Sequence, residues 1–307
     1  MKTILLSGSG GMVGRNILEH QKSKNYHFLA PTHKDLDLLH KDSIDKYLKQ
    51  HKVDIVIHSA GVVGGISANI AEPVRFLKDN AYIGLNLIST CFENGIQTFL
   101  NLASSCMYPR NAPNPLKEEM ILQGELEPTN EGYALAKILA TRLCEYITKT
   151  NENFSYKTAI PCNLYGKYDK FEAQKAHMIP AVIAKIHQAK INHQKSAEIW
   201  GDGESRREFM FAKDLADFVF YALENFDIMP QNLNVGLGYD LSINEYYECI
   251  AKVLGFNGTF THDLSKPAGM KQKVTDITKL KEFGWSPKIS LEEGISETYE
   301  YFLKEKH

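Results

Sequence analysis

The sequence predicts an α/β protein: a Rossmann-type parallel sheet with helices on both faces, followed by a smaller C-terminal α/β lobe. Three observations carry this expectation. In the first half of the 307 residues, short β-branched runs alternate with stretches of helical apolar spacing. A glycine-rich turn follows the first of those runs. Beyond residue 163 the alternation gives way to loop-like segments between isolated helices.

Residues 3–6 form the first β-run, and the glycines that end it distinguish this start from a signal peptide, which needs a longer apolar stretch. Gly8-Ser9-Gly10-Gly11-Met12-Val13-Gly14 follows, and helical spacing over 14–21 comes after it. Glycines at the first, fourth and seventh positions allow a tight turn, a close backbone approach to a pyrophosphate and close helix–strand packing. The helix start adds free N–H groups and the positive end of its dipole. A bare glycine turn is the bland alternative, but strand before and helix after make this a dinucleotide site.

The second strand is expected at 27–30. An NAD-selective site carries Asp or Glu at this strand end. Here Thr32-His33-Lys34 occupy the turn, and the first acids, Asp35 and Asp37, come several residues later. A hydroxyl and two potentially cationic groups suit a 2′-phosphate, which favours NADP; a solvated basic loop is the alternative reading.

Further strands at 54–58 and 98–102 and helices at 43–51, 72–93 and 130–150 complete the βαβ pattern, giving a sheet of six or seven strands. Residues 1–163 are expected to form the cofactor domain, with a strand and helix returning to it near 207–236. Residues 164–307 are expected to form the smaller lobe, with helices at 179–190, 243–254 and 291–304 and loops at 166–175 and 194–205.

Tyr133-Ala134-Leu135-Ala136-Lys137 lies near a helix start, and four residues of separation put Tyr133 and Lys137 on one face. A phenol titrates at ~10, and a neighbouring ammonium lowers that value toward useful acid–base chemistry. YxxxK alone is more often structural than catalytic. Upstream, Ser104 and Ser105 follow the run 98–102, at the strand end where open α/β sheets bind ligands. A hydroxyl there can bond a substrate carbonyl. Glycine loop, strand-end serine and YxxxK in this order form a specific composite.

Composition limits the partners. Net charge is −2 with scattered positive residues, which gives no electrostatic case for nucleic acid. No stretch approaches the ~20 apolar residues that span a bilayer. Five cysteines without metal spacing point to reduced thiols, no metal site and a cytoplasmic setting.

These residues together resemble the extended short-chain dehydrogenase/reductases. Within them the sequence is similar to the GDP-L-fucose synthase branch, the GDP-4-keto-6-deoxymannose 3,5-epimerase/4-reductases. The resemblance runs through almost the whole chain, in SGSGGMVG, VGGISAN, ASSCMYP, GELEPTNEGYALAK, NLYGKYDKF, HMIPAVIAKIHQA, WGDGESRREF, NVGLGYD and GWSPKISLEEGI. It implies a reductase triad of Ser104, Tyr133 and Lys137, with Cys106 and His177 moving protons at C3 and C5. It implies NADP(H) contacts from Gly8 to Gly14, at Thr32, His33, Lys34, Leu102 and Ala103, and at Lys137, Pro161, Asn163, Leu164 and His177. Ser105, Asn163, Lys185, Trp200, Arg207 and Lys273 fall on substrate positions; the planar fork of Arg207 suits a diphosphate. The resemblance further implies a GDP-sugar substrate, a role in surface-polysaccharide synthesis and a homodimer joined through helices of the large domain.

Departures from the branch cluster around phosphates and sugar. Gly10 stands where an arginine is common, Thr32-His33-Lys34 where arginines are typical, Val62 for a lysine and Lys185 for an arginine, and 173–176 differ from the usual pattern. Two rival enzymes therefore stay open: a C4 reductase without epimerisation, acting on a related GDP-4-keto-6-deoxyheptose, and an NAD-dependent nucleotide-sugar 4-epimerase or 4,6-dehydratase. A cofactor-binding module without turnover is the rival from another class.

Overall fold

The structure is a computed structural model that describes residues 1–172, 176–265 and 270–305. Six parallel strands form the main sheet, in the spatial order Asn232–Val235, Ser155–Pro161, Thr98–Leu102, Ile55–His58, Thr3–Ser7 and His27–Leu29. Alternation along the first strand explains why both faces are covered. Ile4 and Leu6 point into one core with Leu215, Phe218 and Val219, while Leu5 points into the other with Leu87, Ile88 and Cys144. The chain leaves Thr3–Ser7 to one side and then crosses to the other. Ligands of open α/β sheets bind at such a reversal, outside the C-terminal strand ends. Here those ends carry Ser7 and His58, whose Oγ and Nδ1 lie 2.8 Å apart.

Helix Pro73–Glu93 starts on proline, whose missing N–H costs nothing there. It packs on helix Glu131–Thr150, and a Cβ at Gly84 would sit 3.2 Å from the Ala140 methyl. Helix Ala212–Glu224 returns to the main body and packs against Met12–Glu19, and Asn232–Val235 pairs with Ser155–Pro161 as the sheet edge. A second core, containing Ile183, Phe209, Tyr246, Ile250, Ile295 and Phe302, belongs to the remaining C-terminal elements.

Two segments differ from the expectation drawn from sequence. Ser155–Pro161 is a central strand that the apolar pattern alone did not single out. Ser196–Trp200 is a strand inside the expected loop 194–205; it pairs with Thr259–Asp263, more than sixty residues later, and that partner is not visible in local sequence.

One buried carboxylate ties together distant segments of the chain. Glu208, 1% exposed, accepts hydrogen bonds from the Leu237 and Gly238 N–H groups and from the Thr275 N–H and hydroxyl. Glu208→Ala would leave several buried donors unpaired at ~1–3 kcal/mol each. We expect it to lose about 3 kcal/mol or more in urea unfolding; a variant as stable as the parent would contradict this reading.

Candidate active site

A cleft of about 920 Å³ opens at the sheet reversal, and residues far apart in sequence line it. The glycine turn forms one wall. Gly8 has a φ of +74°, and a Cβ there would lie 2.7 Å from the Ala60 nitrogen. A Cβ on Gly14 would lie 2.3 Å from the Gly8 carbonyl oxygen, whereas one on Gly10 would meet nothing within 4 Å. Gly11 donates to the Gly8 carbonyl at 3.0 Å and caps helix Met12–Glu19. The first N–H groups of that helix have no partner within it and face the cleft, so the loop fits a pyrophosphate.

Thr32 and His33 reach the cleft; Lys34 is not among its lining residues. The Thr32 hydroxyl donates to Asp35 at 2.6 Å, so its proton is committed within the turn. Asp35 and Leu36 both bond back to the Thr32 carbonyl. This fold-back brings Asp37 to the cleft wall, although its place in sequence reads as too late. His33 then lies 3.9 Å from Asp37.

The strand Thr98–Leu102 delivers Leu102, Ala103 and Ser104, and the 3-10 turn Ser105–Met107 delivers Cys106. Ser104 accepts from the Cys106 N–H at 3.4 Å. Ser105 points inward instead; it is 2% exposed and lines no part of the cleft. Across from Ser104, helix Glu131–Thr150 presents Tyr133 and Lys137. The Lys137 ammonium donates to the Leu102 carbonyl at 3.0 Å and lies 5.8 Å from the Tyr133 ring centre. Burial lowers Lys137 to about 8. Burial also pushes the Tyr133 phenol up, and the force opposing it is a hydrogen bond with Ser104. The expectation gave that task to Lys137, whose hydrogen bond goes to the strand end instead.

Burial raises the Cys106 thiol, opposed first by the charge of Lys273 and then by a Ser104 hydrogen bond and by Lys137. His177, at the start of helix Met178–Ile191, also faces the cleft, and burial lowers its imidazole. Of the differing stretch 173–176, residues 173–175 lie outside the described residues. Pro161, Asn163, Leu164, Arg207 and Lys273 complete this side. Lys273 pairs in register with Arg207, which sets two cations side by side. Asn163 is fixed through a 2.9 Å bond from its amide to the Glu208 carbonyl. Lys185 and Trp200 stand outside the cleft. Lys185 donates to the Glu198 carbonyl at 2.8 Å and lies 5.7 Å from the ring of Trp200, which is 56% exposed.

Several cleft residues escaped the sequence reading. Glu127, Thr129 and Asn130 sit just before Tyr133 and line the wall facing Arg207, whose guanidinium feels the Glu127 charge. Their place inside LEPTNEGYALAK was the available signal. Behind the wall, buried Asn80 shapes the loop after Ile55–His58, accepting from Val62 N–H at 2.8 Å and donating to its carbonyl at 3.0 Å; a lone asparagine within helical spacing gave no signal. Among the described residues, no three His, Cys, Asp or Glu side chains gather as a metal set, and no helix is long and apolar enough to cross a membrane.

Comparison with known proteins gives the same picture. The model of the NAD dependent epimerase/dehydratase family matches residues 4–236. A GDP-L-colitose synthase of Yersinia pseudotuberculosis is 60% identical over 304 residues, covering 99% of each chain. A GDP-L-fucose synthase of Azorhizobium caulinodans is 49% identical, over 98% of this chain and 96% of its own. Among solved structures, a GDP-mannoheptose C4 reductase of Campylobacter jejuni with NADP bound superposes with a TM-score of 0.87 at 29% identity, covering 98% of each chain.

Proposed function

The chain belongs to the NAD dependent epimerase/dehydratase family, in the branch holding the GDP-L-fucose and GDP-L-colitose synthases, and from that premise we propose that it is an NADPH-dependent reductase of a GDP-4-keto sugar that also epimerises C3 and C5. One observation carries this: Ser104, Tyr133 and Lys137 share a single cleft with the glycine loop, and Cys106 and His177 open onto the same cleft.

The nicotinamide supplies the hydride when bound. Tyr133 gives its proton to the C4 oxygen, Ser104 bonds that oxygen and orients the phenol, and Lys137 places a positive charge beneath the ring. Pro161, Leu164 and the glycine loop hold the cofactor; Thr32 and His33 are assigned to its 2′-phosphate end. Arg207 and Lys273 take the substrate diphosphate, and Asn163 supports the sugar end. For epimerisation, the C4 ketone acidifies the neighbouring C–H bonds, and a thiol and an imidazole can exchange protons there. We assign residues 1–163, with the return at 207–236, to the cofactor domain and 164–307 to the substrate lobe. A cytoplasmic enzyme of surface-polysaccharide synthesis fits this chemistry.

The assay is incubation of GDP-4-keto-6-deoxymannose, and of counterparts differing at C3 and in chain length, with NADPH in deuterated water. NADPH consumption with deuterium at C3 or C5 of the product is expected. Reduction without exchange would leave the C4 reductase, a reading favoured by the likeness to the C4 reductase and by the burial that opposes charge on Cys106 and His177. Turnover without net NADPH use would sink both and favour a 4-epimerase or dehydratase.

A homodimer is assigned to the paired helices Pro73–Glu93 and Glu131–Thr150, which leave Val74, Leu77, Leu135, Leu139 and Tyr146 exposed. Leu135 and Leu139 lie one turn apart on one face. Leu135→Glu with Leu139→Glu should convert the dimer to a monomer in light scattering; an unchanged mass would place the interface elsewhere.

A further inference from the structure

Strand His27–Leu29 ends at the part of the cleft wall where dinucleotide enzymes meet the adenosine ribose. The turn after it spends most of its own hydrogen-bonding groups. Thr32 gives both its N–H and its hydroxyl to Asp35 Oδ2, at 3.0 and 2.6 Å. Lys34 stays off the cleft wall, so among the cleft-lining residues of this turn His33 is the side chain left to donate. Arg75 also lines the cleft, from helix Pro73–Glu93, but it donates to Glu72 at 2.7 Å and lies 3.6 Å from Asp79.

Asp37, brought to the same wall by the fold-back at Thr32, is held from several sides. Its N–H donates to the Ser43 hydroxyl at 3.1 Å, and its Oδ1 accepts from the Leu39 N–H at 3.0 Å. Asn86 holds the next two residues, donating to the Leu38 and Leu39 carbonyls at 3.1 and 3.0 Å. Two imidazoles flank the carboxylate: His33 Nδ1 lies 3.9 Å from Oδ1, and His40 Nε2 lies 3.7 Å from Oδ2. Neither is at hydrogen-bond distance, and among the described residues Oδ2 accepts no hydrogen bond.

A phosphate monoester carries a charge of about −1.5 to −2 near neutral pH. A fixed carboxylate in the wall repels such a group, whereas a ribose hydroxyl donates to it. An imidazole N–H acts in the opposite sense, because it donates to a phosphate oxygen. The wall therefore carries one group suited to each form of the dinucleotide.

We propose that Asp37 and His33 set cofactor choice as an opposed pair: Asp37 narrows the preference for NADPH by accepting from the free ribose hydroxyl of NADH, and His33 restores it by donating to the 2′-phosphate. The proposal rests on the dinucleotide reading of the cleft and is independent of the sugar and of the chemistry at C4.

The test is the ratio of the NADH to the NADPH dissociation constant, measured by fluorescence titration of the full-length enzyme without sugar. Asp37→Asn keeps the oxygen that accepts from Leu39 and removes the charge. It should raise the ratio by about five- to tenfold. His33→Gln should lower the ratio by about fivefold, and His33→Arg should raise it. An Asp37→Asn ratio within about twofold of wild type overturns the proposal. So does equal weakening of both cofactors, because only the shape of the turn would then have changed. His33 variants with the wild-type ratio would defeat the pairing. Asp42→Asn removes a nearby acid that does not line the cleft; a rise as large as that in Asp37→Asn would assign the effect to overall charge and defeat the proposal. Wild type that binds neither dinucleotide would sink the cofactor reading itself, an outcome distinct from binding both with an unmoved ratio.

Discussion

Tyr133→Phe should reduce the rate of ketone reduction by about a thousandfold while leaving the NADPH dissociation constant within about twofold. The substitution removes one oxygen and keeps the ring that packs over Lys137, 5.8 Å from its ammonium. The cofactor cradle is built from other residues, so binding survives. The lost step is proton delivery to the C4 oxygen, which positioning alone does not replace. Single-turnover NADPH oxidation and a titration of NADPH fluorescence separate the two quantities. Comparable losses in both would mean that Tyr133 shapes the cofactor site instead of giving a proton. A pH effect accompanies this. Burial lowers Lys137 to about 8, so its positive charge is present below that pH and lost above it. The value of kcat/KM for reduction, which reports the free enzyme, should therefore decline as pH rises through about 8.

Gly14→Ala should weaken NADPH binding by about 10- to 100-fold, whereas Gly10→Ala should leave it almost unchanged. The two glycines differ in what a methyl group would meet. At Gly14 it would lie 2.3 Å from the Gly8 carbonyl oxygen and 2.6 Å from Ser9 Cα, both backbone atoms that move only if the turn opens. At Gly10 the space is open. Relieving an overlap of this kind costs ~1–3 kcal/mol, and the strain falls on the turn whose N–H groups meet the phosphates. Calorimetric titration of both variants checks the pair. Equal affinities would mean that the turn adapts, and the close-approach account of Gly14 would be wrong.

The features readable in sequence share a physical property: their parts are near neighbours along the chain. The glycine turn declares itself because strand, glycines and helix follow one another within a few residues. Tyr133 and Lys137 declare themselves because helical geometry alone fixes their relation. Other features needed distant partners. Strand Ser196–Trp200 exists because Thr259–Asp263 pairs with it. Asp37 reaches the cleft because the turn at Thr32 folds back, and spacing along the strand gives no hint of that.

The sequence by itself determined the class of fold, the dinucleotide turn and the residue types around the carbonyl, since these are set by local backbone conformation and periodicity. Tertiary structure decided which candidates meet. It brings Arg207 and Lys273 onto one wall in register, adds Glu127 and Asn130 near Tyr133, turns Ser105 inward, and leaves Lys34, Lys185 and Trp200 outside the cleft. The reason is that a cleft between two halves of a chain is set by how those halves pack. In this protein that packing includes non-local backbone bonds from Leu116 to Val274 and Asp276.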